Sequence, residues 1–132
     1  MAVHRFPVRI YYEDTDFSGN VYHAAYLKFF ERGRTEFLRD LGIHHHELAR
    51  QGIAFAVRSM QIDFIAAARI DDMLTVSTEV MGTTGARLQL RQTIVRDETL
   101  LTTAQLQIVA IKTAGGAARL PLALRALGGA QR

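Results

Sequence analysis

The residues best suited to chemistry gather in one stretch, EDTDFSGNVYHAAYL, residues 13 to 27. Three acids, Glu13, Asp14 and Asp16, precede a loop of small and polar residues, and His23 stands where an apolar helical pattern begins. Two readings are open. Asp14, Asp16, Ser18 and Asn20 are turn and cap formers, and a carboxylate near a helix N-terminus gains up to about 1 kcal/mol from the dipole. The same physics also serves catalysis, because the first N–H groups of a helix lack an intrahelical acceptor and can bind a carbonyl oxygen that is gaining charge. The backbone N–H of His23 is placed to be such a donor. A carboxylate across from that carbonyl attacks it, or deprotonates a water that does. Apolar neighbours Phe17, Val21 and Tyr22 are expected to raise the carboxylate's basicity by desolvation. Acyl transfer or hydrolysis is the reaction that suits these parts.

Other chemistries lack their parts. There is no GxSxG elbow, and Ser18, Ser59 and Ser77 sit in no nucleophile motif. No P-loop and no Rossmann glycine fingerprint occur. The absence of cysteine removes disulfides, thiolate metal sites and a cysteine nucleophile. His44, His45 and His46 are consecutive, so on a helix they point about 100° apart and do not converge on one metal; they read as a partly exposed helical turn. Asp71 and Asp72, just before a strand, read as a solvated turn. No metal or cofactor is expected.

At 132 residues with 48% hydrophobic and 22% charged side chains, the chain reads as one soluble domain able to bury a core. No apolar run reaches the roughly 20 residues of a membrane span. The opening MAVHRFPVRIYYED lacks a signal peptide's apolar segment, so a cytoplasmic location is expected. The net charge of +3 and pI of about 9.7 are not concentrated in a Lys/Arg run, so no nucleic-acid partner is expected and a small anionic ligand fits equally well.

The elements that position the stretch are legible in the periodicity. FPVRIYYE predicts a strand, broken by the turn composition of DTDFSGN. From about Tyr22, Tyr26, Phe30, Phe37, Leu38 and Leu41, with Leu27 and Gly33 between, mark the buried face of one long helix that stops at Gly42. Lys28, Glu31, Arg32, Glu36 and Arg39 take much of its other side, with Arg32 and Glu36 at ion-pair spacing. Gly33 within the helix costs roughly 1 kcal/mol relative to alanine, which points to close packing. IHHHELARQG predicts a short second helix ending at Gly52. Alternating strands follow: AFAVRSMQIDFIAAA, DDMLTVSTEVM, ARLQLRQTIV after a GTTG hairpin turn, and LLTTAQLQIVAIK after RDET. The expected picture is α+β: one long helix followed by a four-strand meander, with the first strand in the same sheet and the sheet wrapped round the helix. Residues 113–132 form a Gly/Ala-rich tail with one short helix after Pro121 and an end expected to be mobile.

The long pattern YYEDTDFSGNVYHAAYLKFFERGRTEFL resembles the signature of hotdog-fold acyl-CoA thioesterases of the 4-hydroxybenzoyl-CoA thioesterase group, and more narrowly the Tol–Pal-associated branch. The likeness continues through FAVRSMQIDFIAAARIDDMLTV and covers roughly Arg5 to Lys112, so residues 1–112 are expected to be the hotdog domain. The resemblance implies an antiparallel five-stranded sheet round a long central helix, an acyl-CoA substrate and no cofactor. It places Asp16 on the catalytic aspartate, as nucleophile or general base, and His23 on the helix-entrance position whose amide polarises the thioester carbonyl. Gly19 falls on the glycine of the turn into the helix. Asn20, Val21, Tyr22 and Tyr26 fall in the substrate-binding part of the motif, although Tyr26 reads more readily as packing, and Glu13 and Asp14 as structure.

Arg58 and Arg69 match family arginines, with structural ion pairing or a CoA contact as their alternatives. Asn20 stands where the family usually has a small apolar residue, and Ala25 where a polar one is common, so the acyl range is left open. The resemblance further implies a homodimer or homotetramer with active sites at the dimer interface, and an acyl carrier protein or an envelope complex as a partner. The alternatives to a thioesterase are a hotdog acyl-thioester hydratase and a non-catalytic acyl-CoA-binding or envelope-complex partner.

Overall fold

The computed structural model describes residues 3–130, and the side chains of residues 3–127. The chain opens with strand β1 (His4–Arg9) and a 3-10 turn (Tyr12–Asp14). Helices α1 (His23–Asp40) and α2 (His45–Arg50) come next. Four strands follow, β2 (Ile53–Phe64), β3 (Met73–Thr84), β4 (Arg87–Arg96) and β5 (Thr99–Lys112), and then helix α3 (Leu122–Ala130). The strands make one antiparallel five-stranded sheet in the order β1-β3-β4-β5-β2. The α+β expectation of a long helix against such a sheet holds.

The connection order differs from a simple four-strand meander. Only β3, β4 and β5 are consecutive neighbours, while β2 lies at the far edge and pairs with β5 along its whole length, Ile53 opposite Lys112 and Phe64 opposite Thr102. The helix explains the difference. The chain leaves β1 at one edge, runs through α1 against one face of the sheet, and begins β2 at the opposite edge. Residues 65–72 must then carry it back to β3. Alternation alone predicts strands but carries no information about which edge a strand joins.

The face of the sheet that meets α1 is apolar. Leu74, Val76 and Val80 of β3, Leu88, Leu90 and Ile94 of β4, and Leu101, Ala104, Leu106, Ile108 and Ala110 of β5 share one buried cluster with Tyr26, Phe29, Phe30, Phe37 and Leu38. Leu27, placed on the buried face by periodicity, is exposed, and the buried side of α1 passes through Phe29 instead. Arg32 does not pair with Glu36: its guanidinium lies 5.8 Å from the Phe29 ring centroid, and Glu36 pairs with Arg39. The hairpin turn between β3 and β4 is Gly85–Ala86 rather than GTTG, because a bulge between Val80 and Gly82 lets Gly82, Thr83 and Thr84 go on pairing with β4. Leu120 and Leu124 of the tail are buried in the same cluster, and Leu120 N–H donates to Gly85 O. The expectation of a mobile end concerns residues 131–132, which lie outside the described residues.

Gly33 sits where the helix touches the sheet. A Cβ built there lies 2.6 Å from Val76 Cγ1, and Val76 is fully buried. The mid-helix glycine therefore gives up helix propensity for a close approach. Gly33→Ala gains about 1 kcal/mol of propensity but forces overpacking that typically costs about 1–3 kcal/mol. A net loss is expected, read as a lower urea midpoint with unchanged slope, and Val76→Ala in the same chain should restore part of it.

Candidate active site

The loop 15–22 is held at three points. Thr15 bridges to Val21, and Asp16 N–H donates to Asn20 O (2.9 Å), so the loop closes on itself. Gly19 turns it with φ of +85°, in the region that side chains disfavour. The returning segment after β2 supports it from outside: Val21 N–H donates to Ala68 O (2.8 Å), Ile70 N–H to Gly19 O (3.3 Å), and Asn20 bridges to Arg69. Asp14 acts as structure, its Oδ2 accepting Tyr11 N–H and its carbonyl accepting Tyr22 N–H, both at 2.9 Å.

Tyr26 locks this returning segment to α1. Its hydroxyl accepts the N–H of fully buried Ala68 (3.0 Å), and its ring packs against Phe29 and Phe64. Burial pushes the Tyr26 phenol up, against the pull of the Ala68 N–H. Tyr26 and Val21 are both buried, so they shape the site from beneath. Asp72 contributes too, and it is not the solvated turn that its position suggests. Its Oδ2 accepts Arg69 N–H and Arg96 Nη1, each at 2.9 Å. Partial burial alone would raise its carboxyl, yet these donors hold it below the usual range. The preceding Asp71 takes a φ of +73° to make the turn.

Asp16 faces solvent. Its Oδ1 accepts both the N–H (2.8 Å) and the hydroxyl of Ser18, while Oδ2 has no partner among the described residues. The Ser18 hydroxyl, then the Ser18 N–H, hold the Asp16 carboxyl below its ordinary value. The expected rise by desolvation does not occur in the single chain, because Phe17 is fully exposed and Tyr22 half-exposed, leaving the carboxylate uncovered. Ser18 is thus a positioning residue that the motif reading passed over; its place two residues after an aspartate was the available signal.

His23 opens α1, with Tyr22 as its N-cap in extended conformation (φ −64°, ψ 135°). Ala25 N–H returns to Tyr22 O, whereas the N–H groups of His23 and Ala24 have no protein acceptor among the described residues. The His23 ring packs on Tyr22 (centroids 4.5 Å apart) and meets Phe64 edge-on (6.3 Å). The loop thus carries a carboxylate with a free oxygen, and the helix it leads into opens with two N–H donors that have no protein acceptor among the described residues. Arg58 is not brought to this place within the chain. It occupies the bulge of β2 between Val57 and Ser59, six residues or about 20 Å along the strand from Phe64. Neither Arg58 nor Arg69 joins a side-chain ion pair among the described residues, although the charge of Arg69 helps to hold the Asp72 carboxyl low. Among the same residues, no group of three or more His, Cys, Asp or Glu is arranged to hold a metal.

A long helix packed on a five-stranded antiparallel sheet, with its N-terminus opening beside a carboxylate loop, is the hotdog architecture. Residues 11–127 match the thioesterase-like superfamily. The chain is 47% identical over 112 residues to the acyl-CoA thioester hydrolase YbgC of Escherichia coli O6:H1, covering 81% of each chain. It is 46% identical over 107 residues to the acyl-CoA thioesterase YbgC of Haemophilus influenzae, covering 80% of this chain and 79% of the other. A crystal structure of a probable thioesterase from Bartonella henselae superposes with a TM-score of 0.87 at 47% identity, covering 91% of this chain and all of that one. The chain belongs to the thioesterase-like superfamily.

The protonation state of Asp16 gives a test of this geometry. The Ser18 hydrogen bonds hold the Asp16 carboxyl below its ordinary value, so an activity that needs the carboxylate is lost at a lower pH than for a free aspartate. Ser18→Ala removes the largest cause of the depression, so the acid limb of kcat/KM should move to higher pH. An unmoved limb would show that Asp16 is not the group titrating.

Proposed function

We propose that the protein hydrolyses an acyl-CoA thioester to a free carboxylic acid and CoA. The observation that carries this reading is the pairing of the Asp16 carboxylate, one oxygen fixed and one free, with the unsatisfied N–H of His23 at the N-terminus of α1. The thioester carbonyl oxygen takes the helix donor, so charge developing on it meets a preorganised N–H and the helix dipole. Asp16 Oδ2 then either attacks the carbonyl carbon, expelling CoA as the thiol and leaving an acyl-aspartyl anhydride that water hydrolyses to the free acid, or takes a proton from an attacking water whose addition expels CoA as the thiol and releases the acid directly. The activities carried by the names of the two YbgC relatives support the same reaction. The finer assignment, to the 4-hydroxybenzoyl-CoA thioesterase group and its Tol–Pal-associated branch, rests on the motif through residues 11–38.

In this reading Gly19, Asn20 and Tyr22 lie along the substrate, Val21 and Tyr26 back the site, and Arg58 offers a cation to CoA phosphate. No helix among the described residues is long and apolar enough to cross a membrane, which is compatible with work on a soluble thioester in the cytoplasm. A second copy completes the site. The outer edge of β2 is unpaired over twelve residues, and an open edge of that length invites another strand. Antiparallel pairing of two such edges about their middles sets the Ile53 end of one strand beside the Phe64 end of the other. Each helix entrance then gains a neighbour to cover exposed Phe17 and Phe64, in a dimer or in a tetramer built from it.

The N–H and the imidazole of His23 are separable. His23→Pro places proline at the first helical position, where it is well tolerated, after a residue already in the extended conformation it requires. Thiol release from a panel of acyl-CoAs should fall about 10²–10³-fold in His23→Pro, the loss typical for one oxyanion donor, and far less in His23→Ala. Asp16→Asn should keep the fold and abolish turnover. Near-wild-type release by Asp16→Asn or His23→Pro would remove the mechanism.

A further inference from the structure

The apolar core holds one charged side chain that the proposed reaction leaves unused. Arg34 of α1 is 9% exposed. Its Nη1 donates to Gln92 Oε1 (3.1 Å), and its Nη2 lies 3.9 Å from Glu31 Oε1, too far for a hydrogen bond. Gln92 is fully buried and otherwise committed, its Nε2 donating to Phe30 O (3.0 Å) and Thr78 Oγ1 (2.9 Å). A guanidinium carries five N–H donors, and a single neutral acceptor leaves most of that capacity unused. The only counter-charge of Arg34 among the described residues, the mostly exposed Glu31, makes a long contact, so most of the guanidinium's donors remain open to an acceptor entering from outside.

Arg34 lines a cavity of about 370 Å³ between the second half of α1, α2 and the sheet. Leu38, Phe55, Val57, Leu90 and Ile108 make its apolar walls, and Glu31, Thr35 and His45 supply its other polar atoms. That volume falls within the range of small-molecule sites. Hydrocarbon walls around one buried cation match an occupant with an apolar body and an acceptor at its end.

We propose that this cavity receives the acyl group and that Arg34 selects acyl chains whose far end carries a hydrogen-bond acceptor, a carboxylate above all. The proposal rests on the thioesterase reading and on the edge-paired dimer, in which the cavity of one copy lies along β2 beside the helix entrance of the other. A plain chain of equal length fills the walls but strips water from Arg34 and returns nothing, and a site built to hydrogen-bond a substrate group discriminates strongly against the analogue that lacks it. A terminal hydroxyl restores one bond. A carboxylate fits the planar fork with two and adds the opposite charge. Glu31, exposed and held only by a long contact, is free to turn away when a carboxylate arrives.

The test uses hexanoyl-CoA, 6-hydroxyhexanoyl-CoA and adipoyl-CoA with the wild-type chain, R34M and R34K. In the wild type, kcat/KM should rise in that order, with about tenfold or more between the first and the last. R34M should abolish the preference by bringing adipoyl-CoA down to the level of hexanoyl-CoA, and R34K should retain part of the preference. Equal values for the three esters in the wild type, or an R34M that slows all three alike, overturn the proposal. If R34M does not fold, the wild type and R34K alone decide it. If the wild type cleaves none of the esters, the reaction assignment fails separately, and calorimetric titration of the same esters then tests Arg34. Tighter binding of adipoyl-CoA than of hexanoyl-CoA supports its role, and equal binding overturns it.

Discussion

The structure depends on how closely α1 lies against the sheet. At Gly33 there is no room for a side chain over Val76 Cγ1, and beside it Gln92 reaches from β4 to the carbonyl of Phe30. A steric contact and a buried hydrogen bond together fix the helix in depth and along its axis. That seat sets where the first turn of the helix, with the N–H of His23, lies. Burial of Phe29, Phe30, Phe37 and Leu38 supplies the drive, while Gly33 and Gln92 decide the seat.

From that seat the rest follows through one segment, residues 65–72. The chain needs it because β2 was delivered to the far edge, and its route takes it past the helix entrance. Ala68 is gripped on both sides, its N–H by Tyr26 and its carbonyl by Val21 N–H, and Asp72 with Arg96 secures the far end. A connection imposed by topology thus becomes the platform on which the Asp16 loop rests. Loops positioned by a rigid scaffold in this way are common carriers of function.

The electrostatics of the site divide the work. Ser18 occupies one oxygen of Asp16, orients the carboxylate and lowers its pKa, and the other oxygen has no partner among the described residues. The helix supplies N–H donors with no protein acceptor among the described residues. Exposed Phe17 and the open β2 edge leave the single chain wet at this place, and the proposed second copy would cover it. Exclusion of water would then strengthen the same interactions without moving any of the groups.

The sequence by itself determined the elements and the chemistry on offer. The change of period after Tyr22, the turn residues of DTDFSGN and the alternation in the strands are local signals, and each produced the expected element. Gly33 announced a close approach through its cost, and the motif around Asp16 and His23 marked where to look. What local signals lack is any record of partners distant in the chain. The far-edge place of β2, the Tyr26–Ala68 clamp, the anchoring of Asp72 and the burial of Arg34 beside Gln92 join residues 24 to 59 positions apart. The environment of Asp16 differs from the apolar one its sequence neighbours suggest, because residues adjacent in sequence need not cover a carboxylate in space. Phe17 points outward, and Ser18, a polar turn residue, sets its ionisation. Only the tertiary structure decides which neighbours a side chain meets, since packing brings together what the chain keeps apart.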